Sequence, residues 1–133
     1  MGVNAAQAMV DFMHFLGGLK TVLRQGWVNR MIPARVESVA DHSFRMAAFL
    51  AFSAEAIDPG ANVSHCIRMA LVHDVAEAVC GDITPSDGMS DKAKATLERA
   101  ALMQIAEPLL AIRGREAQAE FINLWEEVRL YII

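Results

Sequence analysis

His73 and Asp74 are adjacent, Glu77 follows three positions later and Asp82 five beyond that, all within the stretch MALVHDVAEAVCGD (Met69–Asp82). The first half of that stretch is apolar and reads as a buried helix, where groups able to bind a metal or move a proton are costly unless partnered. On one continuous helix His73 and Glu77 lie one above the other on the same face, and Asp74 is turned away by about a hundred degrees. Side chains of different reach still let a neighbouring His and Asp converge on one ion. Asp82 lies just past Gly81 and can return to the same place. Imidazole and carboxylate together suit Mn²⁺, Fe²⁺, Co²⁺ or Zn²⁺.

A further ligand must come from another element. VADHSFRMA places His42 in the first turn of an earlier helix, a second polar group beside apolar surroundings. Taken alone, such a histidine is more often a hydrogen-bonded core residue. Taken with His73, Asp74, Glu77 and Asp82, it belongs to a set whose burial without an ion would be strongly unfavourable. The set points to a metal. His14 and His65 have no such partners and read as structural or exposed, and Cys80 reads as a core cysteine. Phosphate-loop, H-E-x-x-H, G-x-S-x-G and dinucleotide patterns are missing.

The elements that must position these groups are helical, because apolar residues recur at helical spacing and do not alternate. Ala5, Met9, Phe12, Leu16, Leu19 and Leu23 mark a first helix ended by Gly26. An irregular connection containing Pro33 follows. Ser38 and Asp41 have the spacing of a capping box and open a second helix reaching about Ala56, apolar on most sides and therefore expected to be central. DPGAN (Asp58–Asn62) is a turn, and Ser64 is the expected cap of a third helix running to Gly81 on Ile67, Ala70, Leu71, Val75, Ala78 and Val79. GDITPSDGMS is a polar loop. A fourth helix spans about Ser90–Ile112, with Pro108 expected to disturb its last turn, and a fifth begins near Arg115 on Ala117, Phe121, Leu124 and Val128. The expectation is an all-α bundle of about five helices, with residues 1–133 as one domain.

At 133 residues with a net charge of −4, the chain is a poor match for a protein that coats nucleic acid. It has no apolar run long enough to span a membrane and no basic-then-apolar leader. Its two cysteines, Cys66 and Cys80, do not form a C-x-x-C pair and are expected to be reduced, in a cytoplasmic setting. Charge is uneven: Lys20, Arg24, Arg30, Arg35 and Arg45 face only Glu37 and Asp41 between positions 20 and 45. Such a bias reads as a solvated surface or as a site for a small anion.

LKTVLRQGWVNR (Leu19–Arg30), ESVADHSFRMA (Glu37–Ala47), MALVHDVAEAVCGDITPSD (Met69–Asp87) and LWEEV (Leu124–Val128) together resemble the HD-domain superfamily of metal-dependent phosphohydrolases, and within it the HD-domain 5′-deoxynucleotidases. The resemblance implies His42, His73 and Asp74 as ligands of a divalent metal (Mn, Co, Fe or Zn) and Glu77 as the general acid/base. It puts Asp82 near the sugar or the attacking water, and Arg24, Trp27 and Arg30 in a loop over phosphate and nucleoside, with Lys20 and Arg45 as further phosphate-side residues. Trp27 would offer an apolar face to sugar or base, or pack beneath the loop. The implied reaction hydrolyses a deoxynucleoside 5′-monophosphate to nucleoside and phosphate. Alternatives are pyrophosphate, triphosphate or phosphodiester hydrolysis, and a member that binds metal or nucleotide without turnover. The last alternative rests on one departure: the family takes another ligand Asp from a later helix, and no Asp follows Asp91. The apolar ending LYII is expected to associate, making a homodimer.

Overall fold

The computed structural model describes residues 4–31 and 35–132, so Pro33 lies outside the described residues. Within them the backbone is helical, with a single isolated bridge, between Leu23 and Ser38, in place of any strand. The helices are α1 (Ala5–Gly18), α2 (Gln25–Val28), α3 (Val39–Ile57), α4 (Val63–Val72), α5 (Glu77–Cys80), α6 (Asp91–Arg113) and α7 (Arg115–Ile132), with a 3₁₀ turn at Pro85–Asp87. The five longer helices are those expected from the periodicity. The single turns α2 and α5 are additions, and both carry residues of the site.

The middle of the bundle is α6. It packs against α1, α5 and α7, and its Leu102 and Ile105 are fully buried together with Val39 and Val75. Ala101, Leu124 and Trp125 complete this core, with Phe12 edge-on to Phe121 at 5.9 Å. Apolar burial of this kind, at about 25 cal/mol per Å², is what holds short helices that would not persist alone.

α3 is not central. It lies along α4, and its small residues Ser43, Ala47 and Ala54 are buried there. Phe44, Phe49 and Phe52 face outward, the last at 92% exposure. Small side chains allow the close helix approach, which turns the large ones to the opposite side. An apolar count around the helix cannot distinguish these two outcomes.

Other boundaries move for local reasons. α1 stops at Gly18, well before Gly26, because the chain there runs against α5: a Cβ on Gly18 would meet the Ala78 carbonyl oxygen at 3.2 Å. Residues 19–24 then run beside 37–40, with Val39 N–H donating to Val22 O and Arg24 N–H to Glu37 O. The cap of α4 is Asn62, whose side chain accepts from His65 N–H, and not Ser64. Pro108 sits inside α6, which continues to Arg113.

The third predicted helix is two helices. α4 ends at Val72, and from Val75 to Val79 the backbone closes i→i+3 bonds, as in Val75 N–H to Val72 O and Glu77 N–H to Asp74 O. This tightening shifts the helical phase. Val75, Ala76 and Glu77 turn inward, while Leu71 and Val79, expected on the buried stripe, are 48% and 42% exposed. Gly81, at φ +76, ends α5 as expected.

Candidate metal centre and cleft

The corner between α4 and α5 carries His73 and Asp74, and the first turn of α3 brings His42 to it. That first turn is fixed by the expected capping box: Ser38 Oγ accepts from Asp41 N–H at 3.1 Å, and Asp41 Oδ2 accepts from Ser38 N–H at 2.9 Å. Donation to it from Ser38 N–H and from Ser38 Oγ–H holds the Asp41 carboxyl below its ordinary range. His42 is the next residue and comes off the helix facing Asp74.

Asp74 Oδ2 is the focus of the corner. His73 Nε2 lies 2.9 Å from it, Arg24 Nη1 donates to it at 3.1 Å, and His42 Nε2 is 3.8 Å away. Ligand atoms of His42, His73 and Asp74 fall within 4.8 Å of one another, and no other such group of three occurs among the described residues. Ligands around one ion at about 2.0–2.2 Å stand roughly 3–4 Å apart, so the spacing fits. The donor chemistry fits as well. His73 Nδ1 donates to the Ala70 carbonyl at 2.7 Å, so Nε2, which hydrogen-bonds Asp74 Oδ2 in the absence of an ion, is the nitrogen whose lone pair would face one.

Charge follows the same geometry. Burial, and then the Arg24 guanidinium, hold His42 below its ordinary pKa, favouring the neutral imidazole that ligates metals. Burial pulls His73 down, but its hydrogen bond to Asp74 and the Asp74 charge outweigh this and raise it. The same pairing, with Arg24, keeps Asp74 below the ordinary range despite burial. Glu77 is different. Burial first, then the carboxylates of Asp74 and Asp82, push it up to about 9, and its Oε2 is buried without a hydrogen-bond partner. Glu77 therefore holds a proton at neutral pH.

Arg24 joins this corner to a cleft of about 340 Å³. The cleft is lined by Arg24, Trp27 and Arg30 on one side, and by Asp82, Thr84 and Lys94 on the other. The Arg30 guanidinium lies over the Trp27 ring, 5.7 Å from its centroid. Asp82 Oδ2 accepts from Gln25 N–H at 2.7 Å and so caps α2, while Asn29 Nδ2 donates to Ser86 Oγ at 2.9 Å. These bonds latch α2 across the loop that follows α5. A larger cavity, about 960 Å³, lies between α1, α5 and α6, but none of the three ligand residues lines it. The cleft that shares Arg24 with the corner is the better site despite its size.

The structure thus gathers His42, His73, Asp74, Glu77, Asp82, Arg24, Trp27 and Arg30 at one end of the bundle. It separates the two lesser phosphate-side residues from the cleft walls: Arg45 pairs with Glu37 at 2.8 Å, and Lys20 is exposed. His65 bonds Glu127 at 3.0 Å, tying α4 to α7, and His14 is exposed. Lys94 was not legible as a site residue. It stands four before Glu98 on α6, a spacing that reads as a surface pair, yet its Nζ donates to Ile83 O at 2.7 Å beside Asp82.

The sequence profile of the HD domain matches residues 16–129, which contain every residue of this site. The chain belongs to the HD domain family. This HD domain is 40% identical over 124 residues to a 5′-deoxynucleotidase HDDC2 of Xenopus laevis, covering 93% of the chain and 58% of that relative. It is 38% identical to the human 5′-deoxynucleotidase HDDC2 (93% and 57%) and 37% to the 5′-deoxynucleotidase hdd1 of Schizosaccharomyces pombe (91% and 60%). The chain therefore spans somewhat over half the length of these relatives. A solved structure, a conserved hypothetical protein from Pyrococcus furiosus, superimposes on the HD domain with a TM-score of 0.63 at 26% identity, over 93% of this chain and 68% of its own.

Proposed function

We propose that this HD domain hydrolyses deoxynucleoside 5′-monophosphates with a divalent ion held by His42, His73 and Asp74. The observation carrying the proposal is the convergence of both imidazoles and Arg24 on Asp74 Oδ2, at the edge of a cleft lined by basic residues. The names of the similar proteins support the substrate class. A bound ion would polarise a phosphoryl oxygen and lower the pKa of water; Mn²⁺, Co²⁺, Fe²⁺ and Zn²⁺ all suit the donor set.

The chain's own residues supply the rest. Arg24, Arg30 and Lys94 bring donors to a phosphate dianion and stabilise the charge that spreads over its oxygens during transfer. Trp27 gives the nucleoside an apolar face, with Arg30 stacked above it. Water attacks phosphorus and the bond to the 5′ oxygen breaks. Glu77 gives its proton to that leaving oxygen and takes one up from the attacking water, so that nucleoside and hydrogen phosphate leave with the carboxyl protonated again. Asp82 holds α2 through Gln25 and, beside Glu77, helps keep that proton in place.

A second reading is metal or nucleotide binding without turnover, supported by the three-residue ligand set. Phosphate release from a panel of 2′-deoxynucleoside 5′-monophosphates, pyrophosphate and phosphodiester substrates with Mn²⁺ or Co²⁺, run beside calorimetry of the ion and with Glu77→Ala as the blank, separates the two. Turnover abolished in the variant supports the hydrolase. Saturable metal binding without turnover supports the second reading, and release from pyrophosphate or phosphodiester bonds alone would move the activity to another HD-domain reaction. A cytoplasmic setting with both cysteines reduced is part of the proposal, as is a homodimer formed through exposed apolar residues such as Tyr131. No helix among the described residues is long and apolar enough to cross a membrane. Sedimentation tests the dimer.

A further inference from the structure

The two imidazoles of the corner are steered by different means. His73 has its Nδ1 held by the Ala70 carbonyl at 2.7 Å. His42 has its Nδ1 buried without a hydrogen-bond partner, and the carboxylate facing it is Glu37, whose Oε1 is 3.7 Å away. Glu37 is firmly placed. Its backbone carbonyl accepts from Arg24 N–H at 3.1 Å, and its carboxylate takes Arg45 Nη2 at 2.9 Å and 2.8 Å through its two oxygens. The carboxylate is 19% exposed, so the protein has taken it largely out of water next to an imidazole nitrogen that has no other partner.

We propose that Glu37 is a positioning residue for the metal ligand His42, accepting its Nδ1–H and so aiming the Nε2 lone pair at the place where Asp74 and His73 converge. The proposal rests on the metal-binding reading of that trio. A separation of 3.7 Å is longer than a hydrogen bond, so the proposal requires the imidazole to turn toward Glu37. Histidines that ligate metals commonly donate their other ring nitrogen to a carboxylate or carbonyl, which fixes the tautomer and raises ligand basicity. Here one histidine uses a carbonyl and the other a carboxylate. Arg45 then acts two steps from the ion: it is 69% exposed and holds the Glu37 carboxylate against the ring. This gives a role to a pair that looks, from the surface, like an ordinary ion pair.

Two measurements test the proposal. The first is long-range ¹⁵N NMR of His42 in protein stripped with chelator, which reports the tautomer without any metal. The parent protein is expected to hold the Nδ1–H form, and Glu37→Ala to lose that preference while His73 keeps its own. The second is titration with Co²⁺, followed by calorimetry and by the ligand-field absorption of the ion. Glu37→Ala is expected to weaken binding by about 10- to 100-fold at unchanged stoichiometry. Glu37→Gln, which keeps an acceptor oxygen without the charge, should fall between it and the parent, and Arg45→Met should cost only a few-fold. Circular dichroism checks that each variant is folded. An unchanged His42 tautomer with parent-like Co²⁺ affinity in a folded Glu37→Ala would overturn the role of Glu37 and leave the metal site standing. A parent protein that binds Co²⁺ no better than His42→Ala would overturn the metal site itself and this inference with it.

Discussion

The ligand corner and the cleft mouth are neighbours built in opposite ways. In the corner, Glu77 is 8% exposed with its Oε2 unpartnered, while His73 and Asp74 are largely buried and bonded to one another, to Arg24 or to a backbone carbonyl. At the mouth, Trp27 is 41% exposed, Arg30 is exposed, and α2 is one helical turn latched by Asp82 and Asn29. Burial makes the corner rigid and makes its protonation states unusual. Exposure leaves the mouth free to accept ligands of varied shape, with little stability at stake. The difference implies that changes in the corner abolish function and alter stability, whereas changes at the mouth alter affinity.

The largest effect is expected at the focus of the corner. Asp74→Asn and His73→Ala should each abolish Mn²⁺- or Co²⁺-dependent phosphate release in a folded protein and remove Co²⁺ binding by calorimetry. A variant of either residue that keeps parental turnover would break the comparison outright.

Glu77→Gln comes next, with two readouts. Phosphate release should fall by about 10²- to 10⁴-fold, the span of general acid–base catalysis, while Co²⁺ binding persists. In chelator-treated protein the same change should stabilise the fold. The carboxyl is raised from about 4.5 unfolded to about 9 folded, so the unfolded state loses its proton first. The contribution of this group is complete below the unfolded pKa and is lost as pH rises through the folded one. Thermal melts should therefore give Glu77→Gln an advantage of about 3 kcal/mol near pH 7 that shrinks toward zero by pH 4 to 5. A constant gap across that range would contradict the buried, protonated carboxyl.

At the mouth, Arg30→Ala should raise KM about 10-fold or more, in line with loss of a charge-assisted contact, with metal affinity unchanged. Trp27→Ala should raise KM several-fold and quench the fluorescence change on nucleotide addition. Asn29→Ala, which removes one latch, should have the smallest effect, no more than a few-fold in KM, with the melting temperature unchanged. A loss of metal binding in any of these three would show that the two regions are not separate.

How far the sequence reveals this division depends on the residue. His42, His73 and Asp74 were legible because ionisable groups on apolar elements must be compensated, and the capping box before His42 fixed where its helix starts. The arginines were legible as a local charge bias and, through family resemblance, as a loop. The break at His73–Ala76 was not, because the apolar spacing across Met69–Cys80 is compatible with a continuous helix, and the i→i+3 tightening that turns Glu77 inward leaves no compositional mark. The outward phenylalanines of α3 were missed for a related reason: periodicity cannot say which side of an apolar helix meets a neighbour. Lys94 and Glu37 act through contacts across the chain, to Ile83 and His42, and each looks from its own neighbours like a surface charge.

The central claim is that one ion is shared by His42, His73 and Asp74, and the most direct measurement is a crystal soaked in Mn²⁺ and examined by anomalous scattering. The prediction is one strong peak within about 2.0–2.3 Å of His42 Nε2, His73 Nε2 and an Asp74 carboxylate oxygen, with the Arg24 guanidinium nearby. A fully soaked crystal with no peak there, or with its only peak elsewhere, would contradict the account.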